Sequence, residues 1–315
     1  VTASLAGAGA ALPDRVLKNS YFDDIGSSEE WIVKRTGIRE RRWLEDHVPL
    51  ADLAVSAAGR ALADAGLGAQ DLQQVVVATS TADRISPGLA VEVATRLGAR
   101  RPAAFDVSAG CSGFLYALDH AVAAIESGRA RNVLVCGAEA LSRITDKSDR
   151  DTAVLMGDGA GAVVVRASRD VPRPSFTLGS DGEQIELLYV GRADGLLRMR
   201  GRDIYAHAVD AMVSSTETVL RSRGLKAGDV DVFVAHQANA RIVRAVAERL
   251  GLPEEKVFLN IERVANTSAA SIPIALAHAQ QAGVLRPGAL LGLTAFGAGL
   301  SWGAGVISWK PAAAS

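Results

Sequence analysis

Ala104-Phe105-Asp106-Val107-Ser108-Ala109-Gly110-Cys111-Ser112-Gly113-Phe114 is the stretch on which the reading of this chain turns. A short apolar run ends in small residues and a Cys. A helical pattern then begins, with Phe114, Leu115, Leu118 and Val122 on one face. Strand, tight turn and helix in that order place a thiol at the first turn of a helix. Free backbone N–H groups and the helix dipole there favour a thiolate, the nucleophilic form. The small neighbours leave room for a substrate to reach the sulfur. Cys is also a common core residue, and a single Cys does not settle the matter. The rest of the chain does.

Outward from that stretch, strand-like and helix-like segments alternate. Apolar, β-rich runs fall at 75–78, 104–107, 133–135, 162–165, 232–235 and 290–294. Helical periodicity falls at 53–65, 89–97, 114–126, 206–223 and 242–250. This is an α/β pattern around a largely buried sheet. One phrase occurs twice. Leu62-x3-Gly66-Leu67-x3-Asp71-Leu72 precedes the strand at 75–78, and Leu220-x3-Gly224-Leu225-x3-Asp229-Val230 precedes the strand at 232–235. Each copy reads as helix, Gly C-cap, short loop and strand. The spacing predicts a duplicated half, with sites at the junction of two similar sheets. The boundary is expected near 167–174, where Ser-Arg-Asp-Val-Pro-Arg-Pro breaks the pattern, giving halves 1–166 and 167–315. The Ala-rich tail 312–315 is expected to fray.

Composition narrows the classes. The 315 residues are 49% apolar and 22% charged, enough for a large core in one large or two medium domains. A net charge of −1 offers no basic field for nucleic acid. The two Cys, Cys111 and Cys136, have no metal-site spacing, which argues against a disulfide framework or structural zinc and for a reducing cytoplasm. No apolar run is long enough to span a membrane, and residues 1–15 do not read as a signal peptide. The expectation is a soluble, cytoplasmic protein.

Three further stretches look chemical. In Val234-Ala235-His236-Gln237-Ala238-Asn239-Ala240-Arg241-Ile242 a strand ends in polar residues and a helix follows. Reactive groups in open α/β sheets gather at such strand ends, although a lone His there is also an ordinary structural residue. In Ala265-Asn266-Thr267-Ser268-Ala269-Ala270-Ser271-Ile272-Pro273 a loop carries an amide and small hydroxyls into a helix. Ala295-Phe296-Gly297-Ala298-Gly299-Leu300-Ser301-Trp302 is a Gly-rich bend between strands, suited to close backbone approach or an oxyanion hole. Gly157-Asp158-Gly159-Ala160-Gly161 superficially resembles a phosphate loop. It lacks the Lys-Ser/Thr pair and runs into a strand, so nucleotide binding is rejected there.

Taken in order, the Cys111 turn, 236–242, 265–273 and 295–303 resemble the β-ketoacyl-acyl-carrier-protein synthase III family of the thiolase superfamily. Ser28-Glu29-Glu30-Trp31-Ile32-Val33-Lys34-Arg35-Thr36-Gly37-Ile38, and Asp149-Arg150-Asp151 leading into 157–165, are also close to family motifs. The resemblance runs through nearly the whole chain. It implies a thiolase-like α/β fold of two pseudo-repeated halves in α-β-α-β-α layers. It implies that an acyl-CoA primer acylates Cys111, that malonyl-acyl carrier protein loses CO2, and that the enolate attacks the acyl-enzyme. Covalent capture splits a hard condensation into two steps. By the same resemblance His236 Nε2 and the Asn266 amide donate to the enolate oxygen. The Cys111 N–H and one from 297–299, taken as Ala298, form the acyl-transfer oxyanion hole.

The resemblance also makes Trp31 and Arg150 an adenine sandwich for CoA. Arg35 becomes a phosphate or adenine-edge contact and Asn239 a pantetheine contact. A Ser27-x2-Glu30 cap is expected to leave Trp31 near the surface. Arg241, Arg244 and Arg249 are expected to dock an acidic carrier protein, or else to form a solvated face. Acyl-CoA and the carrier protein are substrates, no cofactor or metal is implied, and a homodimer is expected. The chain departs from the family at Ala265, where Gly is usual. It is short between Asp181 and Met199. Ser86 stands where relatives often place a bulky aromatic that reaches across the dimer and limits the acyl pocket, which predicts tolerance of a primer larger than acetyl. Two other functions compete: acyl transfer to an alcohol or amine without condensation, and a silent partner subunit. The Cys-His-Asn set favours condensation. The sequence leaves open which primer is used and whether the pathway is fatty-acid or polyketide synthesis.

Overall fold

The computed structural model describes residues 1–311; the expected fraying of 312–315 lies outside them. The first half runs β1 (Thr2–Ala11), β2 (Val16–Lys18), α1 (Glu29–Thr36), β3 (Glu40–Arg42), α2 (Leu50–Asp64), β4 (Gln74–Ala78), α3 (Leu89–Leu97), β5 (Ala103–Val107), α4 (Gly113–Glu126), β6 (Asn132–Ala140), α5 (Arg150–Ala153) and β7 (Asp158–Ser168). The second runs β8 (Ser175–Ser180), β9 (Leu188–Val190), β10 (Leu197–Met199), α6 (Gly201–Ser222), β11 (Val232–Ala235), α7 (Ala240–Leu250), α8 (Ile261–Val264), α9 (Ser271–Gln281), β12 (Leu290–Gly297) and β13 (Ser301–Ser308).

Two sheets carry the fold. The first has the order β1-β7-β6-β4-β5 and the second β11-β12-β13-β8. Their pairings match. β4 and β6 are parallel, as are β11 and β12. β6 and β7 are antiparallel, as are β12 and β13, and β7–β1 corresponds to β13–β8 in the same sense. The second sheet has no full counterpart of β5. Val257 makes a single parallel bridge to Phe233 of β11 at the corresponding edge. The duplicated phrase accounts for itself in hydrogen bonds. Gly66 and Gly224 have φ of 63° and 66°, and Leu67 N and Leu225 N donate back to Leu62 O and Leu220 O. That is the Gly-terminated helix end that lets the chain reverse into the next strand.

Three apolar layers fill the spaces around the sheets. α4 and α9 lie between them, where Phe114, Leu118, Ile272, Ile274 and Leu276 meet the inner faces of both. α2 and α3 cover the outer face of the first sheet, and α6 and α7 that of the second. The arrangement is the expected α-β-α-β-α stack. DGAGA at 158–162 is strand, paired with β1 and β6, and its glycines admit the neighbouring α9: a Cβ on Gly161 would come within 2.4 Å of Ile274 N.

Candidate active site

β5 delivers Cys111 into a short turn, Gly110–Ser112, on which α4 begins at once. The turn is pinned by the bend after β12. A Cβ on Gly297 would lie 2.5 Å from Cys111 N, and one on Gly110 would lie 2.8 Å from Ala298 N. Only glycines permit two backbone segments to approach so closely, and Gly110 also holds φ of 51°. Ser301 ties the bend to the Cys turn, its Oγ 3.0 Å from Ala109 O and 2.6 Å from Ser112 Oγ. The backbone segments that carry the Cys111 and Ala298 nitrogens are thereby held in close contact.

Cys111 is half-buried. Burial pushes its thiol up to about 11, with a lesser upward push from the Glu139 carboxylate, against hydrogen bonding by Ser268 and its own backbone. The expected bias toward thiolate at the head of α4 is therefore opposed by desolvation, and the resting group is a thiol.

His236 follows β11 directly, and its N–H donates to Thr294 O of β12 at 2.7 Å. The ring is buried, 2% exposed, and burial lowers its pKa to about 4, so it is neutral near pH 7. Its Nδ1 lies 2.6 Å from Ser271 Oγ, which also accepts the Gln237 N–H at 3.3 Å. Among the described residues the buried Ser271 hydroxyl has no other acceptor, so its proton is assigned to Nδ1. The ring proton is thus assigned to Nε2, which presents a donor on the other side of the ring. Asn266 is held by its backbone, donating to Leu155 O at 2.9 Å and accepting from Gly157 N at 2.8 Å. Its Oδ1 accepts the Ser268 N–H at 2.9 Å, leaving the amide NH2 as the free end. Ala265, the residue before it, has φ 57° and ψ −158°, a region suited to glycine.

Cys111, His236 and Asn266 all line one cavity of about 770 Å³. Trp31, Arg35, Arg150, Asn239 and Arg241 line it too, toward the surface. The cap of α1 is Ser28, whose Oγ accepts Trp31 N at 3.2 Å; Ser27 instead donates to Phe22 O. This corrects the expected Ser27 cap by one residue, and Trp31 is half-buried. Arg150 and Arg35 lie 4.6 and 4.7 Å from the Trp31 ring centroid. An intervening base needs roughly 7–8 Å, two contact distances. The sandwich is thus closed here, and a base would enter by displacing Arg150.

Asn239 caps α7, its Oδ1 accepting Arg241 N at 2.8 Å, while Nδ2 donates to Arg35 O at 3.1 Å. Of the three arginines on α7, Arg241 lies over the Tyr205 ring at the cavity mouth, Arg244 is exposed, and Arg249 is ion-paired with Asp210 of α6. Ser86 is not brought to the cavity. It is exposed on the loop before α3 and does not line the cavity of its own chain.

Sequence reasoning missed Met199, Arg202, Ile204 and Tyr205 in the cavity wall, and the buried Ser268, Ser271 and Glu139 behind the site. Ser268 and Ser271 stood within a quoted motif; only contacts from distant strands give them work. Among the described residues no helix is long and apolar enough to cross a membrane, and no cluster of His, Cys, Asp and Glu could hold a metal ion.

Residues 105–182 match the family model for 3-oxoacyl-[acyl-carrier-protein] synthase III, and residues 220–309 match the model of its C-terminal part. The β-ketoacyl-[acyl-carrier-protein] synthase III of Ruegeria pomeroyi is 44% identical over 98% of this chain and 99% of its own length. The crystal structure of 3-oxoacyl-[acyl-carrier-protein] synthase III from Aquifex aeolicus superposes with a TM-score of 0.94 at 44% identity, covering 98% of this chain and 100% of that one. The priming β-ketosynthase of the R1128 polyketide pathway superposes with a TM-score of 0.94 at 36% identity, covering 98% and 97%. With the duplicated fold and the Cys-His-Asn chamber in place, the chain belongs to the β-ketoacyl-[acyl-carrier-protein] synthase III family.

Proposed function

We propose that this protein carries out the family's decarboxylative condensation through an acyl-Cys111 intermediate, with acyl-CoA as primer donor and malonyl-acyl carrier protein as extender. The observation that carries this reading is the meeting of Cys111, His236 and Asn266 in one cavity, with two neutral donors facing it. In this reading Cys111 attacks the primer thioester, and the N–H groups of Cys111 and Ala298 receive the oxyanion. CoA leaves and the malonyl thioester takes its place. His236 Nε2 and the Asn266 amide then hold the enolate oxygen as CO2 departs. Neutral donors suit this step, because a carboxylate at that point would repel the substrate. The resulting carbanion attacks the acyl carbon and releases the Cys111 sulfur. No cofactor enters the scheme.

Trp31, Arg35 and Arg150 are assigned to the CoA nucleotide, and Asn239 to pantetheine through its backbone, since its side chain is engaged. Arg241 at the mouth and the exposed Arg244 supply cations for an acidic carrier protein, while Arg249 is engaged by Asp210. β5 is a free sheet edge with Phe105 exposed, and pairing of two copies there accounts for a homodimer. Intact mass spectrometry tests the reading. Acetyl-, isobutyryl- and hexanoyl-CoA are supplied, then malonyl-acyl carrier protein, with Cys111→Ala as control. A Cys111-dependent acyl adduct followed by β-ketoacyl-carrier protein is expected. An adduct that persists without ketoacyl product turns the assignment to acyl transfer onto an alcohol or amine.

A further inference from the structure

Acylation of Cys111 requires its proton to leave, and the groups already described cannot accept it. His236 presents Nε2–H, a donor, while its Nδ1 is occupied by Ser271. The Asn266 amide is likewise a donor on its free end. Behind the sulfur lies Ser268: the Ser268–Ala270 turn packs against the Gly110–Ser112 turn that carries Cys111, and its hydroxyl acts on the thiol. Its Oγ donates to Glu139 Oε1 at 3.1 Å. Glu139 is fully buried near the end of β6. It accepts from Thr81 Oγ1 at 2.6 Å and from Ser80 N at 3.1 and 3.2 Å. Ser268 is held in place by a left-handed backbone, φ 48°, which a serine adopts only when its surroundings enforce it.

We propose that Ser268 and Glu139 form a buried proton relay for Cys111, with Glu139 as the acceptor during acylation and the donor when the sulfur is released. This rests on the reading of Cys111 as the acyl carrier. As the sulfur attacks the thioester carbon, its proton passes to Ser268 Oγ, and the Ser268 hydroxyl proton passes to Glu139. The carbon–sulfur bond to CoA breaks, and the CoA thiolate takes a proton from water. Glu139 then stays neutral through the acyl-enzyme stage, which removes a negative charge from beside the incoming malonyl carboxylate. In condensation the enolate carbon bonds the acyl carbon and the bond to the Cys111 sulfur breaks. The proton returns from Glu139 through Ser268 to that sulfur, and the enzyme is restored.

The surroundings suit this role. Among the described residues no cation is paired with Glu139, and burial raises its pKa to about 7, against hydrogen bonds from Thr81, Ser80 and Ser268 that lower it. β4 and the Ser268–Ala270 turn bring no charged side chain to it, and the turn of Cys111 brings only the thiol. β7 brings Gly159 opposite Glu139, and the neighbouring Asp158 is bound to Ser142 and Leu44 N. The Glu139 charge itself disfavours the thiolate, so the pair holds one negative charge between them.

The test is single-turnover acylation of Cys111 across pH 5.5–9, read by intact mass, using whichever of acetyl-, isobutyryl- and hexanoyl-CoA labels the wild type fastest. The wild-type rate is expected to rise through an inflection near pH 7 and level off. Glu139→Gln and Ser268→Ala are each expected to be at least tenfold slower at pH 7.5 and to lose that inflection. Ser268→Ala keeps the backbone N–H that holds Asn266, and it carries the test alone where Glu139→Gln does not fold. A variant that is slow but keeps the wild-type inflection, or one as fast as wild type, overturns the relay. A wild type that takes no acyl group on Cys111 overturns the site reading together with the relay, so the two failures are distinct.

Discussion

Ser271 Oγ and His236 Nδ1 lie 2.6 Å apart, joining the first turn of α9 to the end of β11. The contact crosses between residues far apart in the chain and settles which ring nitrogen faces the cavity. Ser271→Ala frees the ring to take the other tautomer. Condensation by pre-acylated enzyme is expected to fall on the order of tenfold or more, less than the loss of a whole oxyanion donor. Acylation of Cys111 is expected to stay near wild type. Separate single-turnover measurements of the two half-reactions check this, and an equal fall in both would contradict it.

The neutrality of His236 has a signature in stability. Its pKa is about 4 in the fold, against 6.5 in the unfolded chain. Between those values the unfolded chain binds a proton that the fold refuses, so this component of stability is intact above pH 6.5 and declines as pH falls toward 4. A shift of this size corresponds to about 3 kcal/mol. His236→Gln should remove that component. Urea unfolding of both proteins from pH 8 to pH 4.5 should show the wild type losing more stability than the variant; parallel curves would refute it.

Gly297 has no room for a side chain, since its Cβ would stand 2.5 Å from Cys111 N. Gly297→Ala must part the two backbone segments that present the oxyanion donors. Acylation is expected to drop by roughly a hundredfold, the usual scale for a misplaced oxyanion donor. The measurement is the adduct formation rate, with thermal melting to establish that the chain still folds.

Ala265 occupies a backbone region that glycine adopts freely and alanine only under strain. Strain of this kind costs about 1–3 kcal/mol, while glycine adds roughly 0.5–1 kcal/mol of unfolded-state entropy. Ala265→Gly is therefore expected to stabilise the protein by about 1 kcal/mol in chemical denaturation, without loss of condensation. Destabilisation would show that the Ala265 methyl, buried beside Gly157, contributes more through packing than its strain costs.

The helix Leu89–Leu97 and the strand Val232–Ala235 were legible in the sequence at the bounds the structure gives them, because each has strong periodicity and clear Gly or polar ends. β1 was not. Its ten residues, TASLAGAGAA, lack β-branched and aromatic side chains apart from Thr2, and no local propensity marks them as a strand. They are small because α2 packs directly on them: a Cβ on Gly9 would lie 2.3 Å from Ala57 O, and one on Gly7 2.5 Å from Ala65 N. That requirement belongs to the packed pair of elements and leaves no local mark.

The same division holds at the site. By itself the sequence determined the α/β class, the duplication and the chemical character of Cys111, His236 and Asn266, since nucleophile and donors are properties of residue types placed at strand ends and turns. Tertiary structure decided their states. Burial keeps the thiol protonated and the imidazole neutral, because desolvation disfavours charge. Ser271 binds His236 Nδ1, and Ser268 orients the Asn266 amide while its hydroxyl binds Glu139. Arg150 lies over the Trp31 ring. Each of these outcomes depends on distances between segments brought together only by the two stacked sheets, and such distances have no counterpart in the order of residues along the chain.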